Sequence, residues 1–140
     1  MLKLRALVID DSRVMRNMVM ENLKRTGLAE FTFTEASDGR DALRKFNVKK
    51  YEIVFVDIHM PHMDGIEFVK NARKKGGTAN IPFIMITSEK TIGKMTEASE
   101  VGANSFICKP FTTLELRKKL VPIIDRLGKV ASSGFFHSLN

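Results

Sequence analysis

Leu4-Arg5-Ala6-Leu7-Val8-Ile9-Asp10-Asp11-Ser12, continuing into Arg13-Val14-Met15-Arg16-Asn17-Met18-Val19-Met20, is the stretch on which the fold turns. Residues 4–9 form a nearly unbroken apolar run, which predicts a short strand buried on both faces. From about Ser12 to Arg25 the pattern changes to a helical one. It places Val14, Met15, Met18, Val19 and Leu23 on one face and uses Gly27 as a stop. A doubly buried strand that feeds directly into a helix is the start of a strand–helix–strand layer architecture.

The same alternation continues outward to the end of the chain. Residues 53–56, 82–86 and 105–108 read as further short, apolar strands, whereas residues 31–34 alternate Phe with Thr, as a strand with one more polar face does. Helices are expected from near Asp38, with Ala42, Leu43 and Phe46, and from Asp64, where Glu67 is placed for a capping box and Gly76-Gly77 ends the pattern. The element near residues 91–101 is the weakest helix, because Thr91, Gly93, Thr96 and Ser99 are poor helix formers. The last helix opens at Thr112 with Glu115 in capping relation and carries Leu116, Leu120, Ile123, Ile124 and Leu127. Pro122 inside that pattern is expected to kink the helix or end it early. Residues 128–134 read as a linker, and residues 135–140 close the chain with Phe135-Phe136. The expected organisation is one domain over residues 1–127 and a short, flexible C-terminal tail over 128–140.

Five such units with right-handed crossovers predict an α/β fold, a doubly wound five-stranded parallel sheet with helices on both faces. The edge-like second strand favours the order 2-1-3-4-5, whose ligands bind at the carboxyl ends of the strands where the order reverses. Composition agrees with a globular domain: 140 residues, 44% hydrophobic and 28% charged. The single cysteine, Cys108, excludes an internal disulfide and fits a reducing, cytoplasmic setting. No apolar run reaches membrane-spanning length. The net charge of +7 is spread over short runs such as Arg73-Lys74-Lys75 and Arg117-Lys118-Lys119, without a nucleic-acid-binding motif, so solvated helix faces or an acidic protein partner are expected.

The residues that follow the strands carry the chemistry. Asp10-Asp11 follow the first, Asp57 the third, Thr87-Ser88 the fourth and Lys109-Pro110 the fifth. Neighbouring strands lie about 4.8 Å apart, so three carboxylates, a hydroxyl and an ammonium should meet at one rim. Lys109 alone does not neutralise three acids, and an all-oxygen donor set favours a hard cation such as magnesium (Mg2+). A carboxylate can serve as the nucleophile in phosphoryl transfer, and Asp57 is the best placed because strand three is the middle of the cluster.

Taken together, Asp10-Asp11-Ser12, the segment Asp57-Ile58-His59-Met60-Pro61-His62-Met63-Asp64-Gly65, Thr87-Ser88 and Phe106-Ile107-Cys108-Lys109-Pro110-Phe111 resemble the signature of bacterial response-regulator receiver domains of the stand-alone, chemotaxis type. The resemblance covers roughly residues 4–127 and implies a flavodoxin-like fold. It implies that Asp57 accepts phosphate from the phosphohistidine of a sensor histidine kinase. It also implies that Asp11, Asp57 and the backbone carbonyl of His59 bind magnesium, with Asp10 acting through water. Lys109 would contact the phosphoryl group, and Thr87 and Phe106 would move together as the switch. The fourth helix, fifth strand and fifth helix would then bind a downstream target protein. Such a chain is a signalling switch rather than a turnover enzyme, with no direct role for nucleic acid or membrane. This sequence departs from many relatives in having Phe106 where tyrosine is common, and it places His59 and Glu89 at positions that tune dephosphorylation.

Each motif alone has a plainer reading. Asp10-Asp11-Ser12 suits a helix cap, and Asp57 suits a strand-terminal turn. Gly65 suits a tight helix start, Cys108 an inert residue in a buried strand, and the methionines of the first helix suit core filling. Their joint placement favours function. Three rivals remain: a phosphatase that works through an aspartyl phosphate, a flavin- or nucleotide-binding protein, and a phosphate-independent scaffold. The phosphatase wants a second Asp two residues after the nucleophile, where His59 stands. A flavin phosphate loop wants Gly, Ser or Thr where Asp10-Asp11 stand.

Overall fold

A computed structural model describes residues 1–139, with side chains through residue 132. The elements in chain order are β1 (Lys3–Ile9), α1 (Arg13–Arg25), β2 (Glu30–Ala36), α2 (Gly39–Lys45), β3 (Ile53–Val56), α3 (Gly65–Lys74), β4 (Phe83–Thr87), α4 (Ile92–Glu100), β5 (Ser105–Cys108) and α5 (Thr113–Leu139). The strands form one parallel sheet in the order β2-β1-β3-β4-β5, as the sequence predicts.

Period-two alternation in the central strands divides the core in two. Leu7, Ile9, Val54, Val56, Phe83 and Met85 face Ala42, Phe46, Phe68, Val69 and Ala98, so α2, α3 and α4 cover that side. Ala6, Val8, Ile53, Phe55, Ile84 and Ile86 face Val19, Leu23, Leu116, Leu120 and Ile124, so α1 and α5 cover the other. Each fully buried Leu, Ile or Phe contributes about 1.5–3 kcal/mol relative to exposure. Phe46, Phe68 and Phe83 meet with ring centroids 5.6–6.1 Å apart, anchoring α2 and α3 to β4.

Short polar residues cap the helices where expected. Ser12, Asp38, Asp64 and Thr91 accept hydrogen bonds from the backbone N–H groups of Met15, Asp41, Glu67 and Lys94. At the far end of α1, Gly27 adopts φ +68°, a left-handed stop that a side chain would strain. The weakest helix in the sequence is also the most loosely held, since Ala98 is the one buried residue of α4.

Three expectations need correction and one is narrowed. Val14 and Met18 are 71% and 47% exposed, because α1 buries only a narrow stripe through Val19 and Leu23. Cys108 is exposed rather than buried, because β5 is the sheet edge and only its Ile107 is enclosed. Of the two outcomes expected at Pro122, a kink or an early end, the early end does not occur, since helix α5 runs through it. Pro122 sits on the exposed side, while Leu116 and Leu120 before it and Ile124 and Leu127 after it stay packed on the sheet. That burial outweighs the roughly 3 kcal/mol that an interior proline costs. Gly128 and the residues after it, read as a linker, continue α5 to Leu139.

Candidate functional site

Register brings the acids together. Ile9 pairs with Val56, so Asp10 and Asp57 leave neighbouring strands side by side, and the Asp57 N–H still donates to the Ile9 carbonyl at 3.0 Å. Thr87 pairs with Cys108, and the Lys109 N–H donates to the Thr87 carbonyl at 3.0 Å, which delivers the Lys109 side chain to the same rim. The Lys109–Pro110 peptide is cis.

Asp10, Asp11 and Asp57 each offer a carboxylate oxygen within 4.8 Å of the others. Asp10 and Asp57 are only 4% and 9% exposed, whereas Asp11 stands at the surface. Lys109 Nζ bridges the two buried acids, 2.7 Å from Asp10 Oδ2 and 3.0 Å from Asp57 Oδ2. Burial pulls the ammonium toward neutrality, but hydrogen bonding to Asp10 and the charge of Asp57 outweigh it and raise its pKa. Asp11 has no such partner among the described residues. Partial burial, followed by repulsion from Asp10 and Asp57, raises its carboxyl above the usual range.

That pattern fits a cation. One ammonium compensates two of three clustered acids, and the third is left in a negative field with oxygen donors only, the chemistry that suits a hard divalent ion. Close backbone packing shapes the same rim. The Gly65 N–H donates to the Ile58 carbonyl at 2.8 Å, and a Cβ on Gly65 would collide with the Asp57 carbonyl oxygen. Glycine here is needed for close approach to Asp57, a stronger requirement than a tight helix start.

The remaining expected residues surround the cluster. Thr87 is buried at the end of β4, and its hydroxyl accepts from the Glu89 N–H at 3.1 Å. Phe106 is half-buried on β5, beside Met85 and packed against the α2–α4 side of the core. The His59 side chain is exposed, and its Nε2 lies 2.8 Å from Glu89 Oε2. Hydrogen bonds from His59 and Thr91 draw the Glu89 carboxyl down from 4.5 to about 2.

Two features escaped the sequence reading. Arg16 donates to the Asp10 carbonyl at 2.7 Å and to Glu35 at 2.9 Å, fixing the turn that carries Asp10. Its position one helical turn after Ser12, on the side of α1 facing β2, is the signal that could have found it. The contact between His59 and Glu89 is the other. Both residues were singled out by position, but a pairing between two loops has no periodicity to announce it.

Known proteins resemble this chain in sequence and in fold. The model of the response regulator receiver domain matches residues 6–121. Chemotaxis protein CheY-3 of Vibrio cholerae is 36% identical over 124 residues, which span 89% of this chain and 94% of that protein. Chemotaxis protein CheY of Pseudomonas aeruginosa is 31% identical over 125 residues, covering 89% of this chain and 98% of its own. The solved structure of Vibrio cholerae chemotaxis protein CheY4 superposes with a TM-score of 0.77 at 34% identity, over 86% of this chain and 98% of that one. With the family model covering residues from within β1 to well inside α5 and CheY-type relatives matched along nearly their whole length, this chain belongs to the response regulator receiver domains of two-component systems.

Proposed function

We propose that this chain is a phosphorylation-controlled binding module whose phosphoacceptor is Asp57. The observation that carries the reading is the Lys109 ammonium held between Asp10 and Asp57 beside an uncompensated Asp11. In the transfer step, a carboxylate oxygen of Asp57 attacks the phosphorus of a phosphohistidine on a sensor histidine kinase. The P–N bond breaks, the imidazole leaves with the electron pair, and Asp57 becomes an acyl phosphate. Asp11, Asp57 and the His59 carbonyl would hold Mg2+, with Asp10 acting through water; the ion supplies charge neutralisation for the phosphoryl oxygens. Lys109 is positioned to give up one carboxylate contact and pair with a phosphoryl oxygen, and its raised pKa keeps it charged for that purpose.

Thr87 has a hydroxyl engaged only with a loop N–H among the described residues, so it can turn toward a phosphoryl group at modest cost. Phe106 then fills the vacated space, and the surface of α4, β5 and α5 changes shape. The loose attachment of α4 supports that site of response. The partners are a sensor kinase as donor and a downstream target protein on that surface. The module acts as a switch and not a turnover enzyme, over residues 1–127 with 128–140 as a C-terminal extension. A cytoplasmic location suits a kinase partner of this kind, and no described helix is long and apolar enough to cross a membrane.

Intact-protein mass spectrometry after incubation with Mg2+ and acetyl phosphate tests the reading. Wild type should gain one phosphate and Asp57→Asn none. Equal labelling of the two removes Asp57 as the acceptor, and no labelling of either favours a phosphate-independent scaffold.

A further inference from the structure

A second recess lies at the opposite end of the sheet from Asp57. It is a half-open cleft of about 420 Å³ between the segment leading into β4, the start of β5 and the middle of α5. Pro82, Ile123 and Leu127 give it apolar walls. Lys118, Lys119 and Arg126 line it as well, and no Asp or Glu does among the described residues. None of these three cations enters an ion pair among the described residues. Pro122 lines the same cleft. Helix packing gives no reason for a proline there, since it costs the helix and adds nothing to the buried core.

We propose that this cleft binds a small amphipathic organic anion, an apolar body carrying one or two phosphate, sulfonate or carboxylate groups. The volume falls within the range of small-molecule sites, about 300–1,000 Å³. The combination of apolar walls with uncompensated cations selects for a ligand that is both flat or greasy and negatively charged. The consequence for signalling follows from shared residues. Lys118 and Lys119, with Glu115, also border the groove formed by Met95, Phe106, Ile107 and Cys108, on the surface proposed above for the target protein. An anion in the cleft would neutralise cations that a target meets, and so bias output independently of phosphorylation. That consequence rests on the reading of Asp57; the binding itself does not.

The test uses anilinonaphthalene sulfonate, an amphipathic anion, titrated into natively folded protein and followed by fluorescence and by amide chemical shifts. Wild type and Asp57→Asn should bind one equivalent equally, with shifts centred on residues 79–82, 104–105 and 118–130. The double variant Lys118→Glu with Arg126→Glu should weaken binding about tenfold or more. Because these side chains are exposed, a near-identical amide spectrum will separate loss of the site from loss of the fold. Absence of saturable binding, indifference to the double substitution, or shifts centred on the Asp57 rim or on the Met95–Cys108 groove overturns the proposal. A difference between wild type and Asp57→Asn also overturns it, since the cleft is argued to act without phosphate.

Discussion

Lys109 Nζ lies 3.0 Å from Asp57 Oδ2 although the two residues are 52 positions apart, and it is the one cation paired with the carboxylates of the two buried acids among the described residues. Removing it leaves Asp10 and Asp57 buried and uncompensated. Lys109→Ala should therefore lower stability in the absence of divalent metal by about 1–3 kcal/mol, measured by urea unfolding in a chelator. Addition of Mg2+ should recover part of that loss. The same variant should still accept phosphate at Asp57, yet show little change in target-face amide shifts on labelling. A variant that unfolds at the wild-type urea midpoint in chelator would mean that the ammonium contributes nothing to holding the rim.

Arg73 ties three segments together. It donates to the carbonyls of Thr78 and Gly102 and to Asn104 Oδ1, and its guanidinium lies 4.4 Å from the Phe83 ring centroid. Asn104 in turn accepts from the Phe83 N–H, so the clamp fixes the exit of α4 to the start of β4. Arg73→Ala should cost about 1–3 kcal/mol, and Arg73→Lys should recover less than half, because a single ammonium cannot reproduce the planar fork. Hydrogen exchange should rise first in residues 92–104. Uniform exchange across the chain would show that the clamp supports global stability alone.

The fold and the rim were legible because both depend on short-range pattern. Apolar runs mark buried strands, and in a parallel sheet the residues after those runs must share one edge, so Asp10, Asp11, Asp57 and Lys109 follow without any tertiary knowledge. What stayed hidden depends on which side a residue meets. Val14 and Met18 fit the helical stripe of α1 as well as Val19 does, but the sheet covers a narrower arc than the stripe spans. Cys108 ends an apolar strand, and only its place on the edge exposes it. An early end at Pro122 is one expected outcome because its local cost is visible in sequence, whereas the packing of Ile124 and Leu127 that carries the helix past it is not. Arg16 and the pairing of His59 with Glu89 join separate elements through single contacts, which no periodicity encodes.

Asp41 sets an acid limit on stability away from the rim. Burial raises its pKa, but the Ser37 N–H, Lys45 and Arg44 outweigh that and leave it below its ordinary value of 3.8. The folded state therefore binds this proton less readily than the unfolded chain. The stabilisation is fully present above the unfolded pKa and is lost as pH falls through the folded one. Asp41→Asn should lower unfolding free energy by about 0.5–1 kcal/mol at pH near 7, and the gap should close at low pH, below both values. A gap of the same size in acid would assign the effect to hydrogen-bond geometry and not to charge.

His59 and Glu89 join the loop after β3 to the loop after β4 with a 2.8 Å contact, spanning the edge of the rim next to Asp57 and Thr87. If Asp57 is the phosphoacceptor, as proposed, water that hydrolyses its acyl phosphate must approach in line with the P–O bond, and side chains at that edge would then govern access. With the pair intact, the imidazole is held toward Glu89 and the two side chains form a bridge. Glu89→Ala frees His59 and opens the approach. Phosphate loss from Asp57, followed by intact mass after the donor is removed, should then speed up several-fold while the extent of labelling at saturating acetyl phosphate and Mg2+ falls. His59→Ala breaks the same bridge and should change the rate in the same direction, and the double variant should add little to either, since both remove one interaction. Additive effects of the two substitutions would show that His59 and Glu89 act on water separately, and that their contact has no part in the lifetime.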